Sequence, residues 1–207
     1  ALPEGERMEA VAIVTPNALH YPFAKKLLTN GFHVICEKPM TLTVEGALDL
    51  EKLVAEKKLT FALTHTYTGY PMVRQMRDLI AKGVLGTIQR IDAQYYQGWI
   101  NAIIYGGGSR ITGVWRLDPK HAGVSSCMGD IGVHAFNLIE YTTGLEVKEV
   151  LSDLNNVKDG VELDLDSTVL IRFNEKLKGV IRASQVCAGL ENDIIIAVYG
   201  SEGSLRW

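Results

Sequence analysis

Three shortages narrow the field before any motif is read. Cysteine is scarce: the chain of 207 residues has three, Cys36, Cys127 and Cys187, far apart and odd in number. That usage fits neither a disulfide framework nor a cysteine-based zinc site, and it sets the expectation of a reducing, cytoplasmic home. Long apolar runs are missing too. No stretch nears the ~20 residues that cross a bilayer, and the amino end has no basic start leading into a hydrophobic segment, so no membrane partner is expected. Positive charge falls short of negative, 21 Lys+Arg against 24 Asp+Glu for a net charge of -3. Without a basic stripe, nucleic acid is not an expected partner.

What is present is a globular composition, 47% hydrophobic and 22% charged, enough to bury a core. The first part alternates short apolar runs with helical spacing. A strand is expected over Ala10–Val14, then the turn Thr15-Pro16-Asn17 and a helix carrying Ala24, Leu27 and Leu28 that Asn30-Gly31 closes. A second strand follows at Phe32–Cys36. Thr43 caps a second helix whose apolar side is Ala47, Leu48, Leu50, Leu53, Val54 and Ala55, and Leu59–Leu63 forms a third strand. This rhythm predicts a parallel sheet with right-handed crossovers.

Beyond about residue 70 the rhythm changes. Pro71 opens a helix to Ala81 that Gly83 ends, and from Thr87 apolar and polar residues alternate, with Ile91, Ala93 and Tyr95 on one side and Arg90, Asp92 and Gln94 on the other. Gly98–Gly123 reads as a long functional loop containing the glycine run Gly106–Gly108. A helix over Gly129–Tyr141 closes at Gly144, and three strands are expected at Asp166–Phe173, Leu177–Cys187 and Asp193–Tyr199, the first two joined by a hairpin turn. The expected fold is therefore α/β: residues 1–70 form a parallel sheet, and residues 71–207 form an α+β domain with an open, mainly antiparallel sheet.

Two stretches carry candidate chemistry. In Phe32–Pro39 the run Val34–Cys36 reads as a strand buried on both faces that stops abruptly at Glu37-Lys38-Pro39. Ligands of open parallel sheets bind beyond the strands' carboxyl ends, so Glu37 and Lys38 stand either at a substrate or at the start of a solvated loop. Pro39 keeps Lys38 off helical geometry. The second stretch is Gly129-Asp130-Ile131-Gly132-Val133-His134, where Asp130 and His134 share a helical face one turn apart. Both could reach one bound group. An aspartate at a helix start also serves the helix dipole, and a lone helical histidine is often simply packed. No third ligand at sensible spacing accompanies them, so no metal is expected.

Taken in order, Thr15-Pro16-Asn17, Glu37-Lys38-Pro39, Trp115-Arg116 and Gly129-Asp130 with His134 resemble the glucose-fructose oxidoreductase and inositol dehydrogenase (Gfo/Idh/MocA) family. The resemblance implies a Rossmann-like dinucleotide-binding part, and an α/β part whose antiparallel sheet forms a homo-oligomer interface. It implies hydride transfer between NAD or NADP and a sugar, cyclitol or related hydroxyl carbon. By the same resemblance Lys38 orients the reacting hydroxyl and shares in proton transfer, His134 is the acid/base beside it, and Asp130 is their polar partner. Thr15, Pro16, Asn17, His20, Glu37, Lys38, Trp115 and Arg116 would line the cofactor. Tyr95 and His121, with Lys38, Asp130 and His134, would contact a polyol or sugar.

The family's Gly-x-Gly-x-x-Gly phosphate turn has no counterpart in the chain, and Gly106–Gly108 lacks both its spacing and its setting after a strand. A helix start of that kind is what binds the pyrophosphate. The expectation is a fragment of a dehydrogenase, and the alternative is a non-enzymatic binding or assembly module derived from the same family.

Overall fold

The computed structural model describes residues 5–6, 8–106 and 114–207. Its first part is a three-stranded parallel sheet in the order β1 (Ala10–Ile13), β2 (His33–Cys36), β3 (Phe61–Leu63). Helices α1 (His20–Thr29) and α2 (Val44–Lys57) are the crossovers. The α1 helix ends before Gly31, whose φ of +83° suits glycine. The extended Thr43 caps α2, its hydroxyl accepting from the Gly46 N–H at 3.1 Å. Ile13, Ala24, Leu28, Val34, Cys36 and Leu50 form the core between sheet and helices.

Two expectations about this part need correction. Leu48 is 57% exposed. Two residues from Leu50, it points to nearly the opposite side of the helix. The strand β2 is buried on one face only, because Ile35 is 45% exposed while Val34 and Cys36 are buried. Strands paired in sequential order send both right-handed crossovers to the same face. Among the described residues nothing covers the other.

The second part is a six-stranded sheet in the order β5-β6-β7-β4-β8-β9. Its strands are β4 (Ile88–Tyr96), β5 (Glu149–Asn155), β6 (Asp166–Arg172), β7 (Lys178–Ser184), β8 (Asp193–Gly200) and β9 (Ser204–Arg206). All neighbours are antiparallel except β4 and β7, which run parallel in the register Ile91 to Gly179 and Tyr95 to Ala183. Helix α3 (Pro71–Ala81) and the later α6 (Val133–Thr143) cover one face, and Val73, Met76, Ile91, Ala93, Leu138, Ile181 and Ile196 make the core there. The expected alternation along β4 holds. The edge strand β5 was not expected: all seven of its residues are exposed, so its sequence carries no alternation to find.

Between β4 and α6 the chain forms two short helices, α4 (Asn101–Ile104) and α5 (Pro119–Ala122), and a 3₁₀ turn at Trp115–Leu117. Residues 107–113, which include most of the glycine run, lie outside the described residues. The expected helix from Gly129 begins instead as a π-turn, Met128–Gly132, that continues into α6. The buried Asp164 carboxylate accepts from the N–H groups of Ser126 and Met128, both at 2.8 Å, and so caps this start. Gly132 lets the Met128 thioether lie against the turn; a β-carbon there would make that flexible side chain move aside.

Removing the Thr43 cap with Thr43→Ala is expected to cost about 1 kcal/mol, measured as a lower urea midpoint with an unchanged slope.

Candidate active site

Lys38 follows the carboxyl end of β2, and its peptide bond to Pro39 is cis. Its side chain, 12% exposed, crosses to the second part of the chain. There the ammonium donates to the Asp130 side chain at 2.7 Å and to the Asp130 carbonyl at 2.5 Å.

Asp130 gathers three donors. Lys38 takes Oδ1; Arg116 Nε donates to Oδ2 at 3.2 Å, and Gln185 Nε2 donates to the same oxygen at 3.0 Å. Burial would push this carboxyl up, but Lys38 and Arg116 outweigh it and hold the group below the usual carboxylate range. Gln185 is fully buried, and its amide oxygen lies 3.4 Å from the Ser126 hydroxyl. The π-turn delivers Asp130 to this meeting point, a common use of such turns. Asp130 is therefore an anchored carboxylate with both oxygens occupied.

His134 lies one turn on, within a cluster of rings. Its ring centroid is 5.0 Å from Tyr67, 6.2 Å from Tyr95 and 6.2 Å from His65. Its pKa drops from 6.5 to about 4, first through burial and then through the positive charge of Lys38, with His65 adding to the fall and Asp130 opposing it. A near-neutral pKa, the ordinary expectation for a catalytic histidine, is thus replaced by a ring held firmly neutral. His65 is lowered for the same two leading reasons, burial and Lys38. Burial, reinforced by the bond to Tyr67, pushes Tyr95 up.

The other expected residues divide by what they touch. Tyr95 is buried and shares a 2.5 Å hydroxyl contact with Tyr67, while donating to Asn192 at 2.8 Å. Arg116 stacks on Trp115, 4.3 Å from the ring centroid. Asn17 donates to the Ala122 carbonyl at 3.1 Å, tying the Trp115–Ala122 segment to the start of α1. The ring nitrogens of His20 meet the carbonyls of Pro39 and Thr15. His121 pairs with Asp118 of its own loop at 2.7 Å, on the exposed side. Glu37 is half-buried beside Lys38. Among the described residues no group of three histidine, cysteine or acidic side chains is placed to hold a metal ion.

Residues 73–206 match the GFO/IDH/MocA C-terminal domain, and residues 1–65 match the oxidoreductase family's NAD-binding Rossmann fold. The chain belongs to the GFO/IDH/MocA oxidoreductase family. An uncharacterized oxidoreductase, YfiI, of Bacillus subtilis is 31% identical over 97% of the chain and 51% of its own length. The levoglucosan dehydrogenase of Pseudarthrobacter phenanthrenivorans is 28% identical over 96% of the chain and 55% of its own length. An inositol dehydrogenase homolog from Azotobacter vinelandii, solved with NAD+, superposes with a TM-score of 0.89 at 31% identity, covering 96% of this chain and 51% of that one. The chain spans about half the length of these GFO/IDH/MocA relatives.

For a member of a NAD-binding family, the test is whether the residues present suit such a group. Thr15 Oγ1, Thr64 Oγ1 and His65 Nδ1 are buried without hydrogen-bond partners among the described residues. All three follow the carboxyl ends of β1 and β3, where an open parallel sheet takes its ligand, so the residues fit. Sequence reasoning missed His65, Tyr67 and Gln185. His65 was in principle findable, since it follows a strand's carboxyl end as Lys38 does; Gln185 could not be, because only β7's place beside β4 brings it to Asp130.

An NMR titration is expected to show the His134 ring changing protonation near pH 4, and Lys38→Met is expected to raise that midpoint by removing the adjacent positive charge. The unfolded ring titrates near 6.5, so stability attached to this group is full above that pH and falls as pH drops toward 4. The loss is at most about 3 kcal/mol. Urea denaturation at pH 7.5 and 4.5, compared between the native chain and His134→Gln, measures it.

Proposed function

We propose that the chain carries the lysine and histidine of an NAD(P)-dependent dehydrogenase acting on a sugar, cyclitol or related hydroxyl carbon. The observation that carries the reading is the convergence of Lys38, from the carboxyl end of the central strand β2, and His134, from α6 of the second part, around Asp130. In this reading residues 1–70 are the Rossmann-like part, residues 71–207 bind substrate, and the protein works in the cytoplasm.

The bound nicotinamide supplies the hydride acceptor. Thr15, Pro16, Glu37, Trp115 and Arg116 form its wall, while Asn17 and His20 hold that wall together from behind. Asp130 uses two of the three N–H bonds of Lys38, which leaves the third to hold the substrate hydroxyl oxygen. As hydride leaves carbon, the hydroxyl proton passes to the neutral ring of His134. Lys38 and Arg116 put positive charge beside the oxygen as its negative charge develops. The same positive charge keeps His134 free to accept.

A polar wall extends away from this point. Tyr67, Tyr95 and Asn192 are linked, Gln97 Nε2 donates to Asn192 Oδ1 at 2.8 Å, and Trp99 Nε1 donates to Gln97 at 3.0 Å. Trp99 is 37% exposed, which leaves ring surface for a sugar face to stack on. The inositol dehydrogenase homolog and levoglucosan dehydrogenase are named for substrates of this polyhydroxylated kind.

NADH or NADPH formation from a panel of cyclitols and sugars, assayed with the product of the complete reading frame, tests the reading. Lys38→Ala and His134→Ala are each expected to lower kcat by roughly 10²- to 10⁴-fold. Unchanged rates in both would end it.

The outer face of the six-stranded sheet supports a homo-oligomer. Leu151 and Leu170 pair across strands there and are 69% and 52% exposed. Around them stand Arg90, Arg172, Lys178 and Arg182 together with Glu149, Asp92 and Asp166, both signs on one surface, as a self-complementary two-fold contact needs. The expected occupant is a second copy of the chain. Sedimentation equilibrium should show a dimer or larger species that Leu170→Asp dissociates; a native chain that stays monomeric at high micromolar concentration rules the interface out.

A further inference from the structure

His20 takes no part in the proton or hydride transfer above, yet it is 1% exposed and each of its ring nitrogens faces a backbone carbonyl, one of which accepts the single N–H of a neutral ring. It opens α1, directly after the 3₁₀ turn Asn17–Leu19. Its Nδ1 lies 2.7 Å from the carbonyl oxygen of Pro39 and its Nε2 lies 2.9 Å from that of Thr15. Those carbonyls belong to the two turns that leave the adjacent strands β1 and β2. One of these turns carries Lys38; the other carries the unpartnered hydroxyl of Thr15. Three residues earlier, Asn17 holds the Ala122 carbonyl at 3.1 Å. The 3₁₀ turn and the first residue of α1 together therefore contact three segments that bear site residues: the Thr15 turn, the Lys38-Pro39 turn and the Trp115–Ala122 segment.

We propose that His20 is a positioning residue for Lys38: a buried imidazole that pins the Lys38-Pro39 turn against the Thr15 turn and so fixes where the ammonium stands. The proposal rests on the reading of Lys38 as the working lysine. A lysine side chain is long and loses much rotamer freedom when fixed. Asp130 holds only its tip, and that tip is aimed correctly only if its backbone is held as well. Backbone carbonyls are the natural handles for doing this from an adjoining helix, because the ring reaches them without touching the ligand space. A shift of about 1 Å in a catalytic group can cost 10²-fold in rate, which is the scale expected for loss of this grip.

The test reads Lys38's place without requiring turnover. Lys38 is one of the charged or titratable groups around His134, with His65, Asp130, Tyr67 and Tyr95, and its charge helps hold the His134 midpoint near 4. In His20→Leu, which removes the polar contacts with both carbonyls, the His134 midpoint measured by NMR is expected to rise toward that of Lys38→Met. In His20→Gln, whose amide restores a donor, it is expected to return part of the way. Amide resonances of the six-stranded sheet report that the fold is intact, and if His20→Leu does not fold, His20→Gln against the native chain carries the comparison. In the complete gene product, kcat should fall about 100-fold in His20→Leu with a smaller change in KM. A His134 midpoint that stays near 4 in both folded variants overturns the proposal. A raised midpoint supports it even if no sugar is oxidised, in which case the dehydrogenase reading alone fails.

Discussion

A single carboxylate organises this molecule. Asp130 is largely withdrawn from solvent, its side chain 17% exposed, and a carboxylate so placed is tolerated only when it is paired and hydrogen-bonded. Lys38, Arg116 and Gln185 meet that demand from three separate stretches of chain: the loop after β2, the turn before α5 and the end of β7. The Lys38 contact is also a tie between the loop after β2 and the second part of the chain. The demand for compensation therefore does two jobs: it ties the loop after β2 to the second part, and it gathers the charged groups at one place.

The electrostatic result follows from counting charges. Two cations face one anion, and the excess positive charge falls on the neighbouring rings. Burial and that charge act in the same direction on His134 and His65, lowering both from the ordinary histidine value and bringing His134 to about 4. A neutral ring beside an ammonium suits a reaction in which oxygen gains negative charge while its proton moves away. The same environment that would stabilise an alkoxide forbids an imidazolium before the reaction begins.

Much of this was legible in the chain itself, and the exceptions are instructive. The βαβ rhythm of the first part, the Thr43 cap and the alternation on β4 are local signals, and they appear where they were read. The β5 strand escaped notice because an edge strand exposed on both faces has no periodicity to betray it. Ile35 looked buried because apolar runs usually are, yet its face depends on what lies across the sheet, which β2 cannot encode. The pairing of Lys38 with Asp130 was foreseen only through resemblance; Gln185 needed the sheet order. His20 was expected to touch a cofactor, and its ring instead binds the backbone of the two turns where that cofactor would lie. Spacing places a residue near a site but does not say whether it faces inward or braces the wall.

The odd pairing of β4 with β7 has a directional consequence. In a purely antiparallel sheet, adjacent strands would send their carboxyl ends to opposite rims. Here two neighbours finish side by side, so Tyr95 and Gln97 emerge beside Ser184 and Gln185 along the same rim. The first sheet offers its ligand a row of strand termini as well. Strand ends of both sheets thus carry residues of the site, so a side chain there can be exchanged while the ladders behind it stay in register.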